Sequence, residues 1–345
     1  MQSRSRLIRL VRLGQGALLV LACAGAGAAT LGRYNIDPAK VTVSGISSGG
    51  AMAVQMHVAY SATFRGAAIF AGAAYYCAEG DLGNALTRCM NAASADQVPV
   101  DRLAAATRQW AAMGLIDDPA NLARSRVYLF SGTLDAIVRQ PGMDAAWRYY
   151  RQFMPAANIV YNNATPAGHG WISPMGTNPC VATQSPYVND CGVDPEQTFL
   201  TQFYGTLKPR AAAALSGQFL PVDQAEFLDD RDPAAHSVDS NAWVYVPASC
   251  AKDKRCGLHV SFHGCSQGYS KVGDQFFRRT NLNEWADTNS TIVLYPQAVP
   301  TLTATIVNGQ GCWDWWGYDQ ASYAQKKGPQ MLMTKRMVDR IMAKN

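Results

Sequence analysis

Short runs of β-branched and aromatic residues alternate along this chain with longer segments of helical spacing, and glycine-rich turns separate them. Residues 41–44, 66–70, 127–130 and 158–161 are runs of strand length rich in β-branched and apolar residues, with the helical pattern of 50–60 after the first and of about 144–153 before the last. Residues 175–240 are richer in Pro, Asp and Gln and break this rhythm around one helical piece, 197–204. The rhythm then resumes with strand-like runs at 242–246, 258–262 and 291–295 and closes on a helical pattern at about 329–342. The pattern predicts an α/β fold, with a mostly parallel central sheet and helices on both faces.

Composition narrows the picture without changing it. The 345 residues are 48% hydrophobic and 16% charged, which suits a large globular unit rather than a disordered chain. The net charge of +5 includes Arg4, Arg6, Arg9 and Arg12, so the remainder carries about +1 and implies no surface for nucleic acid. Those arginines precede an apolar run, 17–24, and a small-residue stretch, 24–29. That is the layout of a secretory signal peptide over residues 1–29. An uncleaved membrane anchor and lipidation at Cys23 are the alternatives. Residues 30–345 are then expected to form one exported domain, monomeric and without stable membrane association. No other stretch has eighteen consecutive apolar residues.

Eight cysteines remain after Cys23, an even number that reads as cystines in an exported chain although eight allow 105 pairings. Close spacing favours Cys77 with Cys89, Cys180 with Cys191 and Cys250 with Cys256, which leaves Cys265 for Cys312. A zinc site would need C-x-x-C pairs or suitably spaced histidines, and neither occurs, so no metal is expected.

Chemistry enters at Gly45-Ile46-Ser47-Ser48-Gly49-Gly50, a G-x-S-x-G segment between a predicted strand and a predicted helix. Glycines flank such a serine because a sharp strand-to-helix turn leaves no room for side chains; the turn lifts the hydroxyl above the sheet edge. Ser47 is the candidate nucleophile. A serine needs a base, and five histidines are available. His57 lies within a helix, His259 within a strand and His236 in the polar middle segment, whereas His169 sits in a glycine-flanked loop after the 158–161 strand. The orienting acid should follow a strand between serine and histidine, and Asp135, just past 127–130, fits. Asp117 and Asp118 precede a strand, and Asp144 reads as a helix start.

Acyl transfer also requires donors for the developing oxyanion. The backbone N–H of Ser48 is one, and a His-Gly element after an apolar strand, His263-Gly264-Cys265, offers the Cys265 N–H as the second. That element normally precedes the nucleophile, and here it follows the base. A circular permutation restores the usual order, with parts running from about 240–345 and then on through about 31–205. It requires the C-terminal helix to pack beside the 41–44 strand and the two ends to meet. The competing explanation is two separate domains, one carrying a chance His-Gly.

The elbow, the Phe262–Gln267 segment, Tyr295-Pro296-Gln297 and Gly311-Cys312-Trp313-Asp314-Trp315-Trp316 together resemble the esterase family of extracellular polyhydroxybutyrate depolymerases. The order of parts is similar to its circularly permuted, single-domain fungal type. The resemblance implies an α/β-hydrolase fold, Ser47, Asp135 and His169 as a triad, Ser48 and Cys265 amides as oxyanion hole, and no cofactor. It also implies a polyester substrate contacted by a tryptophan of the 312–316 segment. Trp171, Trp313, Trp316 and Tyr318 are the aromatics expected at the substrate. The alternatives are an exported carboxylesterase for soluble or plant-wall esters and a non-catalytic binding module.

Overall fold

The computed structural model describes residues 30–343; the expected signal peptide and Cys23 lie outside the described residues. Eight strands form one sheet: β1 (Ile36–Ile46), β2 (Gly66–Phe70), β3 (Arg126–Phe130), β4 (Ile159–Asn162), β8 (Gln218–Asp223), β9 (Asn241–Val246), β10 (Cys256–Phe262) and β11 (Thr291–Tyr295). Their spatial order is β4-β3-β2-β1-β10-β11-β9-β8, parallel from β4 to β11, with β9 and β8 added antiparallel at one edge. A small side sheet of β5 (Trp171–Ile172), β6 (Asn178–Pro179) and β7 (Val188–Asp190) and a hairpin of β12 (Thr301–Leu302) and β13 (Val307–Asn308) complete the strands.

The sheet is covered on both faces, and even the polar Thr42, Ser44, His259 and Ser261 of its central strands are buried. One core packs the helices Ser48–Ala59, Val100–Ala112, Gln140–Arg151 and Pro329–Met342 against Val41, Val43, Leu258 and Val260. The opposite core gathers Phe70, Phe130, Trp171, Phe199, Phe276 and Trp285. The helix after β1 is buried along all twelve residues, so it shows no polar face and sits at the centre of the fold.

Counted from β8 to the chain's end and then from β1 to β4, the strands lie in the order 1-2-4-3-5-6-7-8 across the sheet. The chain is thus a permuted α/β-hydrolase fold, and the ends of the described residues meet: the Tyr34 N–H donates to the Ile341 carbonyl at 2.9 Å.

Three elements depart from the sequence reading. The helix expected from 144 runs Gln140–Arg151; Pro141 occupies its first turn, where a missing N–H costs nothing, so Asp144 lies inside it. There it accepts a hydrogen bond from the Tyr161 hydroxyl at 2.8 Å. The helix Val100–Ala112 was hidden because only Leu103, Ala104 and Thr107 of it are buried, too thin a stripe in an alanine-rich segment. Strand β8 falls in the apparently irregular middle and carries Pro221, which a sheet tolerates at an edge.

Candidate active site

The site is assembled at the carboxyl ends of β1, β3, β4 and β10. Ser47 follows β1 with φ 56° and ψ −125°, a conformation costing about 1–3 kcal/mol for a residue with a side chain. The strain is held by a hydrogen bond from the Ser47 N–H to the Phe70 carbonyl of β2 (2.9 Å) and by contacts that admit no side chain. A Cβ on Gly45 would lie 2.1 Å from the Gly49 carbonyl oxygen, and one on Gly49 would lie 2.2 Å from that of His263. The glycines therefore let the elbow close on itself and on the β10 loop.

Asp135 lies on the turn after β3. Its Oδ1 accepts the N–H groups of Ile137 and Val138, both at 2.9 Å, and its Oδ2 lies 2.8 Å from His169 Nδ1. The acid and base loops are zipped together by backbone bonds from Thr133 to Thr165 and from Leu134 to Ala167. The approach is close enough that a Cβ on Gly132 would stand 2.1 Å from the Ala167 oxygen. His169 is fixed by its own N–H on Thr183 Oγ1 at 2.9 Å. With Nδ1 facing the Asp135 carboxyl oxygen as donor, Nε2 is left as the nitrogen free to accept a proton. Ser47 and His169 border one cavity of about 330 Å³ without a direct hydrogen bond, a looseness common before substrate binds.

The β10 loop closes the other side. Gly264 abuts Ser47, with an added Cβ 3.2 Å from the serine Cβ. The Cys265 N–H has no acceptor among the described residues, and the Ser48 N–H lies in the unpaired first turn of its helix. Two free backbone donors thus flank the Ser47 hydroxyl. Cys265 is bonded to Cys312, which ties this loop to the aromatic segment; the other cystines are Cys77–Cys89, Cys180–Cys191 and Cys250–Cys256, the pairing that spacing favoured.

A second cavity of about 300 Å³ is bordered by Ser47 but not by His169 and is walled mainly by apolar groups including Leu86, Met90, Val138, Trp315 and Trp316. Of the four aromatics expected at the substrate, only Trp316 reaches a cavity. Trp171 is fully buried, stacked on Phe70 at 4.3 Å, with its indole N–H on Glu196 Oε1 at 2.7 Å. Burial raises the Glu196 carboxyl well above its ordinary range. Trp313 is likewise buried beneath the site, its ring 4.9 Å from that of Phe262. Tyr318 turns away and donates its hydroxyl hydrogen to the Cys312 carbonyl at 2.8 Å. Trp315, another tryptophan of the 312–316 segment, lines the same cavity. The segment's aromatics are too alike to be sorted by pattern; Asp314 sorts them by accepting N–H bonds from Gly317, Tyr318 and Asp319 and so folding the loop.

Three of the other histidines are structural. His57 shares a hydrogen bond with the Tyr150 hydroxyl, and His259 is bonded by Thr42 and Ser44 hydroxyls; burial pushes each down to about 3. His236 joins the middle segment to the aromatic loop through Asp319 and Asp230.

A sharp elbow serine after the fifth strand, a carboxylate–imidazole pair after the seventh and eighth, and two free amides define a serine hydrolase of the α/β-hydrolase fold. No family model matches the chain. It is 45% identical over 332 residues to the poly(3-hydroxybutyrate) depolymerase of Delftia acidovorans, covering 94% of this chain but 65% of that protein. This chain therefore spans somewhat under two thirds of that relative's length. It is 35% identical over 339 residues to the polyhydroxybutyrate depolymerase of Talaromyces funiculosus, covering 94% of this chain and 96% of that one. The crystal structure of the PHB depolymerase from Penicillium funiculosum superposes with a TM-score of 0.83 at 34% identity, over 91% of this chain and 98% of that one. A PHB depolymerase complexed with an R3HB trimer matches with the same values. The chain belongs to the polyhydroxybutyrate depolymerase family.

Proposed function

We propose that this protein is an exported, monomeric serine esterase that cleaves poly(3-hydroxybutyrate) or related short-chain polyhydroxyalkanoates through an acyl-enzyme on Ser47. The observation that carries the reading is the Asp135–His169 pair, 2.8 Å apart, facing the strained Ser47 across one cavity with two unpaired amides beside it. Nε2 of His169 takes the Ser47 proton as the hydroxyl attacks the ester carbonyl. The tetrahedral oxyanion is held by the Ser48 and Cys265 N–H groups, and the imidazolium protonates the departing alcohol. Water then attacks the acyl-enzyme with the same base.

The cavity beside His169 receives the alcohol side of the bond, because the proton must be returned there, and the apolar cavity beside Trp315 and Trp316 receives the acyl side. Leu82, Leu86 and Val307 stand exposed on the rim of the apolar cavity, and Leu302 continues that rim across the hairpin. An apolar rim suits contact with a solid polyester better than capture of a small soluble ester. Export rests on the arginine-led 1–29 segment and on the four cystines, which persist in oxidising compartments. Among the described residues no helix is long and apolar enough to cross a membrane.

The test pairs clearing of a polyhydroxybutyrate suspension with hydrolysis of a nitrophenyl butyrate ester, for wild type and Ser47→Ala. Wild type should perform both, and the variant neither, while still adsorbing to polymer film. Turnover of the soluble ester alone would replace the depolymerase reading with that of a carboxylesterase. Unchanged turnover in Ser47→Ala would assign the chemistry to another nucleophile.

A further inference from the structure

The sequence singled out His263 only as part of the His-Gly element, and the reaction as proposed does not use its side chain. The ring is fully buried. Nδ1 lies 2.7 Å from the carbonyl oxygen of Gly264, and Nε2 accepts the Ala298 N–H at 3.0 Å. A carbonyl can only accept and an amide can only donate, so both partners select one neutral tautomer, protonated on Nδ1. Burial agrees, pushing the imidazole down to about 4. The Trp313 ring, 5.4 Å away, packs against the imidazole.

The Gly264 carbonyl belongs to the same peptide plane as the Cys265 N–H. Because that plane is rigid, holding its oxygen sets the direction of its hydrogen. A hydrogen bond accepted by the carbonyl also polarises the amide and strengthens it as a donor. On the preceding plane the Gly264 N–H is held by Gln267 Oε1 at 2.7 Å, and Gln267 Nε2 in turn donates to the Tyr187 carbonyl at 2.9 Å. The loop is therefore gripped at two successive peptides, and the one that carries the Cys265 N–H is held by the imidazole and, at 3.3 Å, by the Gln267 N–H.

We propose that His263 is a positioning residue for catalysis: in its Nδ1–H tautomer it clamps the Gly264–Cys265 peptide and aims the Cys265 N–H at the oxyanion formed on Ser47. This rests on the serine-esterase reading above. It predicts an effect confined to the transition state, since a ground-state carbonyl engages the oxyanion donors less than the tetrahedral oxygen does.

The experiment compares wild type, His263→Leu and His263→Asn on nitrophenyl butyrate, together with inhibition by butylboronic acid, whose tetrahedral adduct on Ser47 places an oxygen where the oxyanion forms. His263→Leu should lower kcat roughly 10- to 100-fold, less than or at the low end of outright loss of an oxyanion donor, with KM little changed. The boronic acid inhibition constant should rise by the same factor. His263→Asn keeps an N–H near the Nδ1 position but lacks the acceptor for Ala298. It should melt at a lower temperature yet keep kcat within a few-fold of wild type. A folded His263→Leu that keeps kcat and boronate affinity within twofold overturns the proposal, as does His263→Asn falling as far as His263→Leu. If His263→Leu does not fold, His263→Asn decides alone: retained kcat supports the clamp, and a loss beyond tenfold refutes it. Wild type inactive on the ester would instead remove the esterase reading itself, which keeps the two failures apart.

Discussion

Replacing Asp135 with Asn exchanges one oxygen of the site for an NH2 group and should nearly silence it. In the native site Oδ1 accepts two backbone N–H groups, from Ile137 and Val138, while Oδ2 accepts from His169 Nδ1. An asparagine must choose which partner meets its oxygen. Turning the NH2 toward residues 137 and 138 would leave two N–H groups facing a donor, at about 1–3 kcal/mol each, whereas turning it toward His169 sets only one donor against another. The oxygen therefore stays on the backbone, and the NH2 faces Nδ1. The imidazole relieves that clash by moving its proton to Nε2, so Nδ1 accepts and the nitrogen facing Ser47 can no longer serve as base. The fold is kept because both backbone bonds survive. A serine hydrolase with the wrong histidine tautomer loses about 10⁴-fold in kcat, equivalent to about 5 kcal/mol of barrier. The assay is steady-state hydrolysis of nitrophenyl butyrate by wild type and Asp135→Asn, with melting temperatures measured alongside. A folded variant within tenfold of wild type would show that Asp135 does not govern the tautomer of His169 and would remove it from the catalytic set.

Three further outcomes follow from the same geometry. Gly49→Ala drives a Cβ against the backbone oxygens of His263 and Phe262, at 2.2 and 2.5 Å, so it should cost about 1–3 kcal/mol or more in urea denaturation and lower kcat as well; a variant with native stability and activity would contradict the close approach. Replacing both Cys265 and Cys312 by Ser opens a link across 47 positions, worth about 4 kcal/mol on the chain-entropy view, and frees the oxyanion loop from the aromatic segment; an unchanged melting temperature and kcat would contradict both consequences. The hydrogen bond to Asp319, with the charges of Asp319 and Asp230, raises His236 above its ordinary value against the effect of burial. Its contribution is therefore complete below the unfolded value of about 6.5 and is lost as pH rises through the folded one, so the stability gap between wild type and His236→Gln should be widest in mild acid and close in alkali; a gap independent of pH would refute the pairing.

Much of the site could be read from short windows, because short windows are where its constraints act. The elbow is a local event: the left-handed Ser47 and the close-packed Gly45 and Gly49 leave a signature within six residues. The same holds for the glycine-flanked His169 and the His-Gly-Cys loop. Strands announce themselves as short β-branched and apolar runs between turns, and the displaced order of nucleophile and oxyanion parts already implied that the two halves of the chain close on each other. The cystines also followed from spacing, three of them being short closures.

Burial, by contrast, is a property of what lies on the other side of a side chain, and no local pattern records it. Trp171 and Trp313 looked like substrate contacts because they neighbour His169 and Cys312. Only the packing shows that Phe70, Glu196 and Phe262 occupy the space around them, while Trp315 and Trp316 face a cavity. The same is true of His263, whose role depends on a carbonyl one residue away and an amide 35 residues away that a strand brings to its far nitrogen. Sequence alone determined the fold class, the order of its parts and the groups able to do chemistry, since backbone conformation and polarity are written residue by residue. The tertiary structure decided which of those groups meet, which are shut inside and which tautomer each ring must hold, because those depend on distances between segments far apart in the chain.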